Sequence, residues 1–180
     1  MLEIELANIK MKNPFMLASG ILDLTKESME KFKDAGAVVT KSIGKEERKG
    51  YKNPVFHEVE CGILNAIGLA NPGVEEYIKE IRGIKIENLI GSIFGKDEKE
   101  FYYVAEKMMP FVKAFELNLS RPHAKKVGME YSTRKIKKTV EEVKQLGKPV
   151  FVKLGMENLL KRAEKAIEGG ADAIVAINSV

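Results

Sequence analysis

Six short apolar or β-branched runs recur along this chain, with stretches of helical spacing between them. They fall at Phe15–Ser19, Val38–Ser42, Leu89–Phe94, Ala114–Leu119, Val150–Leu154 and Ala173–Asn178. None alternates cleanly with polar residues, so each reads as a strand covered on both faces. The helical segments are Thr25–Ala35, opening on a Thr cap, Gly73–Ile81, Lys96–Phe111, Thr133–Leu146 and Asn158–Glu168. Gly36, Gly83, Gly147 and Gly169 stand where helix-ending residues with positive φ are expected. Strand alternating with helix predicts an α/β protein built on a parallel sheet.

Both a (β/α)8 TIM barrel and a doubly wound sheet satisfy that pattern. No GxGxxG turn follows the first strand, which favours the barrel. Such a barrel takes about 200 residues at least. The 180 residues therefore represent about six of the eight strands, as a single domain over residues 1–180 with the carboxyl-terminal part absent. Two hairpins are expected besides. One, over Glu3–Lys12, would close the bottom of the barrel, and one would lie in the long insertion Gly44–Gly62, where Val55–Val59 alternates after Pro54.

With 44% hydrophobic and 31% charged residues, the chain is a globular one with enough apolar material for a core. No apolar run reaches the roughly 18 residues of a membrane span, and the start lacks a signal-type apolar stretch, so a cytoplasmic protein is expected. A single cysteine, Cys61, excludes an intramolecular disulfide and a cysteine metal cluster. His57 and His123 are far apart, so no metal site is expected. The net charge of +4 is dispersed among acidic residues, which speaks against a nucleic-acid face.

In a parallel barrel the chemistry gathers at the carboxyl ends of the strands. Those ends read Ala18-Ser19-Gly20, Lys41-Ser42, Phe94-Gly95, Asn118-Leu119-Ser120, Lys153 and Asn178-Ser179, and the insertion adds Asn65 through Gly73. Few, convergent polar groups on rigid strands are what a ligand pocket requires. Two lysines and three asparagines there suit an anionic, planar, amide-rich ligand. Each has a plainer alternative. Lys41 and Lys153 could reach solvent, and Asn65 and Asn71 could serve the turn around Gly68. Asn118 and Asn178 resist that alternative, because an amide inside an apolar strand costs about 1–3 kcal/mol unless partnered.

The motifs NPFMLASG (13–20), VVTKSI (38–43), NAIGLANPG (65–73), SIFG (92–95), ELNLS-P-H (116–123), VKL (152–154) and INSV (177–180) resemble, in order and spacing, the strand-end motifs of class 1 dihydroorotate dehydrogenases over the whole chain. The resemblance implies an FMN-dependent barrel enzyme that oxidises dihydroorotate to orotate in pyrimidine biosynthesis. It implies flavin contacts from Ala18, Ser19, Gly20, Lys41, Ser42, Asn118, Lys153, Ile177 and Asn178. Substrate contacts would come from Lys41, Asn65, Ile67, Gly68, Leu69, Asn118, Asn178 and Ser179, with the Lys41 ammonium stabilising charge that arrives on the ring. A homodimer and an iron–sulfur, FAD-bearing electron-transfer subunit are further implications, the acceptor being either fumarate or NAD through that subunit.

The chain departs from the family at Arg121, which stands inside NLS-x-P-H where class 1 members carry the cysteine that removes a proton. Arginine titrates above about 12 and has no acceptor lone pair, so it is no general base. Ser120 and His123 are the neighbouring groups able to substitute. The family's FMN phosphate site lies in loops after strands seven and eight, beyond this sequence. Two competing readings remain: a non-catalytic relative that binds a pyrimidine or a partner chain, and a dihydrouridine synthase, against which the dispersed charge argues.

Overall fold

A computed structural model describes residues 2–120 and 132–178. Its centre is a six-stranded, all-parallel sheet: β3 (Met16–Leu17), β4 (Ala37–Val39), β7 (Leu89–Ile93), β8 (Ala114–Asn118), β9 (Val150–Leu154) and β10 (Ala173–Ala176). The spatial order β3-β4-β7-β8-β9-β10 is the chain order, each strand pairing with the next. A doubly wound sheet reverses its order at a switch point. This one never does, which is the winding of a barrel.

The helices α1 (Lys26–Glu30), α2 (Val74–Glu80), α3 (Glu98–Met108), α4 (Thr133–Lys144) and α5 (Leu159–Glu168) form the outer layer. Phe101, Val104, Ala105 and Met108 of α3 and Ile136, Val140 and Val143 of α4 pack with Phe115, Leu117, Val150, Val152 and Leu154 in the larger core. Polar caps fix where these helices start. Thr25 accepts from Ser28 N, Asp97 from Glu100 N at 2.9 Å and Ser132 from Lys135 N at 3.3 Å, each satisfying an orphan first-turn donor. Asp172 anchors the start of β10, accepting from Lys144 Nζ at 2.8 Å and from Val150 N at 2.6 Å.

The inner face of the sheet carries the second core. Ala37, Val39, Ile90, Ala114 and Phe151 meet Ile9 and Met11 of the hairpin β1 (Ile4–Leu6) and β2 (Ile9–Met11). Ala7 and Asn8, at φ 50° and 64°, supply the two positive-φ positions of a tight hairpin turn. Asn88 Nδ2 donates to both Lys10 O and Gly36 O at 2.9 Å, tying the hairpin to the amino ends of the strands. The hairpin therefore seals the bottom of the barrel, as expected.

Boundaries differ from the sequence expectation where side chains redirect the backbone. β4 stops at Val39 because Thr40–Ser42 leave the ladder: Thr40 Oγ1 takes the Ser92 N–H at 3.0 Å, and pairing resumes only at Ile43 with Ile93. α1 is five residues long, and Lys31–Ala35 turn back toward Gly36. Gly36 has no positive φ, and a Cβ there would lie 2.0 Å from Asn13 O, so close approach explains the glycine. The insertion hairpin runs later than expected, as β5 (Phe56–Val59) and β6 (Gly62–Asn65), and both strands are exposed. No helix among the described residues is long and apolar enough to cross a membrane.

Candidate active site

Strand alternation carries the inner face from apolar to polar toward the carboxyl ends. On β8, Ala114 belongs to the apolar floor, and Glu116 and Asn118 point the same way two and four residues on. On β9, Phe151 is followed in the same sense by Lys153, whose register partner is Asn118, and on β7 Ile90 is followed by Ser92, the partner of Glu116. A polar layer thus rests directly on the floor.

These side chains form one hydrogen-bonded network across the sheet. Ser19 Oγ lies 3.2 Å from Ser42 Oγ, Ser42 Oγ 2.9 Å from Ser92 Oγ, and Ser92 Oγ donates to Glu116 Oε1 at 3.3 Å. A branch leaves at Ser42, which accepts from Asn118 Nδ2 at 2.9 Å. Asn118 Oδ1 accepts from Ser120 Oγ at 2.6 Å, and Ser120 Oγ accepts from Asn178 Nδ2 at 2.7 Å. Residues from β7 and β8 and from the segments following β3, β4 and β10 are thereby joined. Asn118 and Asn178 have found the partners that a buried amide needs.

Two ammonium groups complete the rim. Lys153 is 7% exposed, and Lys41 is half-buried. Neither is ion-paired with a carboxylate among the described residues; their charges are instead felt across the site by Asp23 and Glu116. Asp23, 2% exposed, accepts the Gly20 N–H with its carboxylate and the Lys41 N–H with its main-chain carbonyl at 3.1 Å. Burial pushes the Asp23 carboxyl above its ordinary value, opposed by the Gly20 N–H, Lys41 and Lys153. Burial likewise raises Glu116, opposed by Lys153 and the Ser92 hydroxyl and reinforced by Asp23. Tyr77, whose hydroxyl donates to Asp23 O at 2.9 Å, is raised by the same burial.

The segment after β8 is held from two sides. Leu119 N donates to Lys153 O at 3.0 Å, and the Arg162 guanidinium of α5 donates to Leu119 O. Gly155 passes so close that a Cβ there would sit 2.7 Å from Ser120 O.

Ser19, Lys41, Ser42, Asn118, Ser120, Lys153 and Asn178 therefore gather at one rim. Gly20 has φ +97° and open space around it, and Ala18 is exposed nearby. Asn65 ends β6 on the exposed hairpin, opposite Phe56, and no hydrogen bond among those described joins it to the network. Segment 67–69 packs under the loop at Gly50–Tyr51, with Tyr51 N donating to Ile67 O at 3.1 Å. Asn71 is buried and holds the turn itself, accepting from Gly44 N and Gly73 N and donating to Leu69 O. Ile177 is half-buried at the end of β10. Arg121, His123 and Ser179 lie outside the described residues.

Three participants are not found by reading strand ends. Ser92 and Glu116 lie inside their strands, and Asp23 lies in the loop beyond β3. A carboxylate within the apolar run AFELNL is the signal that marks one of them. A cleft of about 520 Å³ between Leu24, Arg48, Pro72 and α2 lies beside the rim, but Glu76 and Lys79 at its edge are already paired at 2.6 Å.

Fold and site together define part of a (β/α) barrel with a polar pocket at the carboxyl ends of its strands. The family model described as dihydroorotate dehydrogenase matches residues 1–180. The chain is 45% identical over 188 residues to the dihydroorotate dehydrogenase B (NAD(+)) catalytic subunit of Pyrococcus horikoshii, covering 100% of this chain and 62% of the relative. The corresponding subunit of Methanocaldococcus jannaschii is 41% identical, with 100% and 63% covered. The structure of ligand-free type DHODH from Eimeria tenella superposes with a TM-score of 0.84 at 17% identity, over 99% of this chain and 62% of that one. This chain belongs to the dihydroorotate dehydrogenase family. It spans about three fifths of the length of the relatives it matches.

Proposed function

We propose that the rim binds FMN and a dihydropyrimidine carboxylate, and that the chain carries the catalytic site of a dihydroorotate-oxidising enzyme. The observation that carries this reading is the convergence of Lys41, Lys153, Asn118 and Asn178 on one hydrogen-bonded rim. Two cations without a paired carboxylate among the described residues offer donors that a ligand's oxygens would satisfy. The Ala18-Ser19-Gly20 segment lacks bulky side chains that would keep a flat ring away. FMN, when bound, supplies the two-electron acceptor. Asn118 uses three of its four hydrogen-bonding positions on Ser42 and Ser120 among the described residues, leaving an N–H for the ligand. Lys41 would meet the ligand carboxylate, and the main chain of Ile67, Gly68 and Leu69 with Asn65 and Ser179 would close the substrate side.

The relatives named as B-type NAD(+) catalytic subunits support an electron-transfer partner subunit; that it bears iron–sulfur and FAD groups, and that the chain forms a homodimer, are parts of the same proposal. Cytoplasmic location, without nucleic-acid or membrane partners, belongs to it as well. Ser120 is well placed for binding but has no basic partner among the described residues, so nothing there activates its hydroxyl. Arg121 favours a second reading, in which the chain binds the pyrimidine without turnover.

The test is reconstitution with FMN followed by anaerobic addition of dihydroorotate. Bleaching of the flavin absorbance supports the enzyme, whereas orotate binding by calorimetry without bleaching supports the binding protein. Restoring a thiol with Arg121→Cys is expected to raise turnover about 10²- to 10⁴-fold, the usual worth of a general base. An unchanged rate would show that position 121 does not carry the base.

A further inference from the structure

Glu116 is a carboxylate that the proposed reaction does not use, yet it is the terminus of the network. It is 3% exposed, so water does not reach it directly. Its hydrogen-bond partner among the described residues is the Ser92 hydroxyl. From Ser92 the contacts continue through Ser42 to Ser19, at 2.9 and 3.2 Å, and Ser19 is half-buried at the rim. Three consecutive hydroxyls therefore join a buried carboxylate to the surface on which a ligand would lie.

The direction of these bonds follows from valence. An ionised Glu116 only accepts, so Ser92 must donate to it. Ser92 then has no hydrogen left for Ser42, and Ser42 donates to Ser92. Ser42 already accepts from Asn118 Nδ2, and its second lone pair takes the Ser19 hydroxyl. Every hydrogen in the chain then points toward Glu116, and Ser19 presents a lone pair to the rim. With Glu116 protonated, the hydroxyl chain runs the other way and Ser19 presents its hydrogen.

We propose that Glu116 is the proton store of the rim site, exchanging a proton with bound ligand through the hydroxyls of Ser92, Ser42 and Ser19. A proton leaving a ligand acid bonds to Ser19 Oγ, while the Ser19 hydrogen passes to Ser42, that of Ser42 to Ser92, and that of Ser92 to Glu116 Oε1. The ligand keeps the electron pair, each serine ends with one hydrogen, and nothing is oxidised or reduced. Charged groups facing Glu116 are Lys153 from β9 and Asp23 from the loop after β3; β7 contributes only Ser92, and Lys41 after β4 acts on Asp23. Raising of the Glu116 carboxyl by burial agrees with a group that holds a proton inside the site. The identity of the ligand rests on the function proposed above, but the proton path does not.

The test uses the ligand-free chain, so the failure of FMN or dihydroorotate to bind leaves it intact. Infrared difference spectra on acidification are expected to show a protonated-carboxyl C=O band that Glu116→Gln lacks. After a rapid pH jump, that band should rise about tenfold more slowly in Ser92→Ala, the rate equivalent of one lost hydrogen bond, and recover in Ser92→Thr. Should Ser92→Ala not fold by circular dichroism, Ser42→Ala interrupts the same path. A band that survives Glu116→Gln, or a rise as fast in the serine-to-alanine variant as in the parent, overturns the proposal.

Discussion

Glu116 and Asp23 set how this chain answers to pH. Both carboxyls titrate above their ordinary values in the folded state because they are buried. Folding therefore favours their protonated forms. The stability this contributes is fully present below about pH 4, where the unfolded groups are also protonated, and is lost as pH rises through the raised folded values. Glu116→Gln removes one of the two contributions. Its urea midpoint is expected to fall less than the parent's from acid toward neutral pH, and parallel curves for the two would refute the assignment. At this scale the sequence is legible for Lys41, Asn118, Lys153 and Asn178, because a polar residue closing an apolar run must find partners or a ligand at the strand end. It is illegible for Asp23, whose position depends on a loop folding back over Gly20, and for Ser92, a small residue that any buried strand could hold.

Among the elements, β9 matches its sequence run from end to end, since VFVKL is covered on both faces and nothing competes with its ladder. β4 and β10 are shorter than their apolar runs: beyond Val39 the Thr40 hydroxyl takes the Ser92 N–H, and beyond Ala176 the Asn178 side chain turns to Ser120 while its N–H still reaches Leu154 O of β9. Local capping chemistry, by contrast, transfers directly. Asp97 receives the Glu100 N–H while Glu100 Oε2 receives the Lys96 N–H at 2.6 Å, a reciprocal clasp at the start of α3. Asp97→Ala is expected to cost about 1 kcal/mol, read as a lower denaturant midpoint at unchanged slope. No loss of midpoint would mean that Glu100 and solvent suffice. The placement of Asn65 on a hairpin strand has the same local origin: Gly62–Asn65 is too short a run for alternation to show, so its sequence resembles a turn-rich loop.

For the molecule as a whole, the order of the sheet divides stability unevenly. β7 and β8 are buried along their full length, whereas β10 is only half-buried, and the β5–β6 hairpin exposes Phe56, Ile63 and Leu64. Native-state hydrogen exchange is expected to be slowest in β7 and β8, faster in β10 and fastest in β5 and β6. Equal protection across all of them would contradict the layering described. From the sequence, the winding of the sheet rests only on the lack of a nucleotide-type glycine turn; the uninterrupted strand order is what decides it. The glycines carry one last consequence. In a saturation library, substitutions at Gly36 would vanish under selection for intact protein, since the neighbouring Asn13 carbonyl belongs to the scaffold. Substitutions at Gly155 press on the main chain of Ser120, so whatever shift relieves them displaces a member of the rim network, and ligand capture would be lost together with packing.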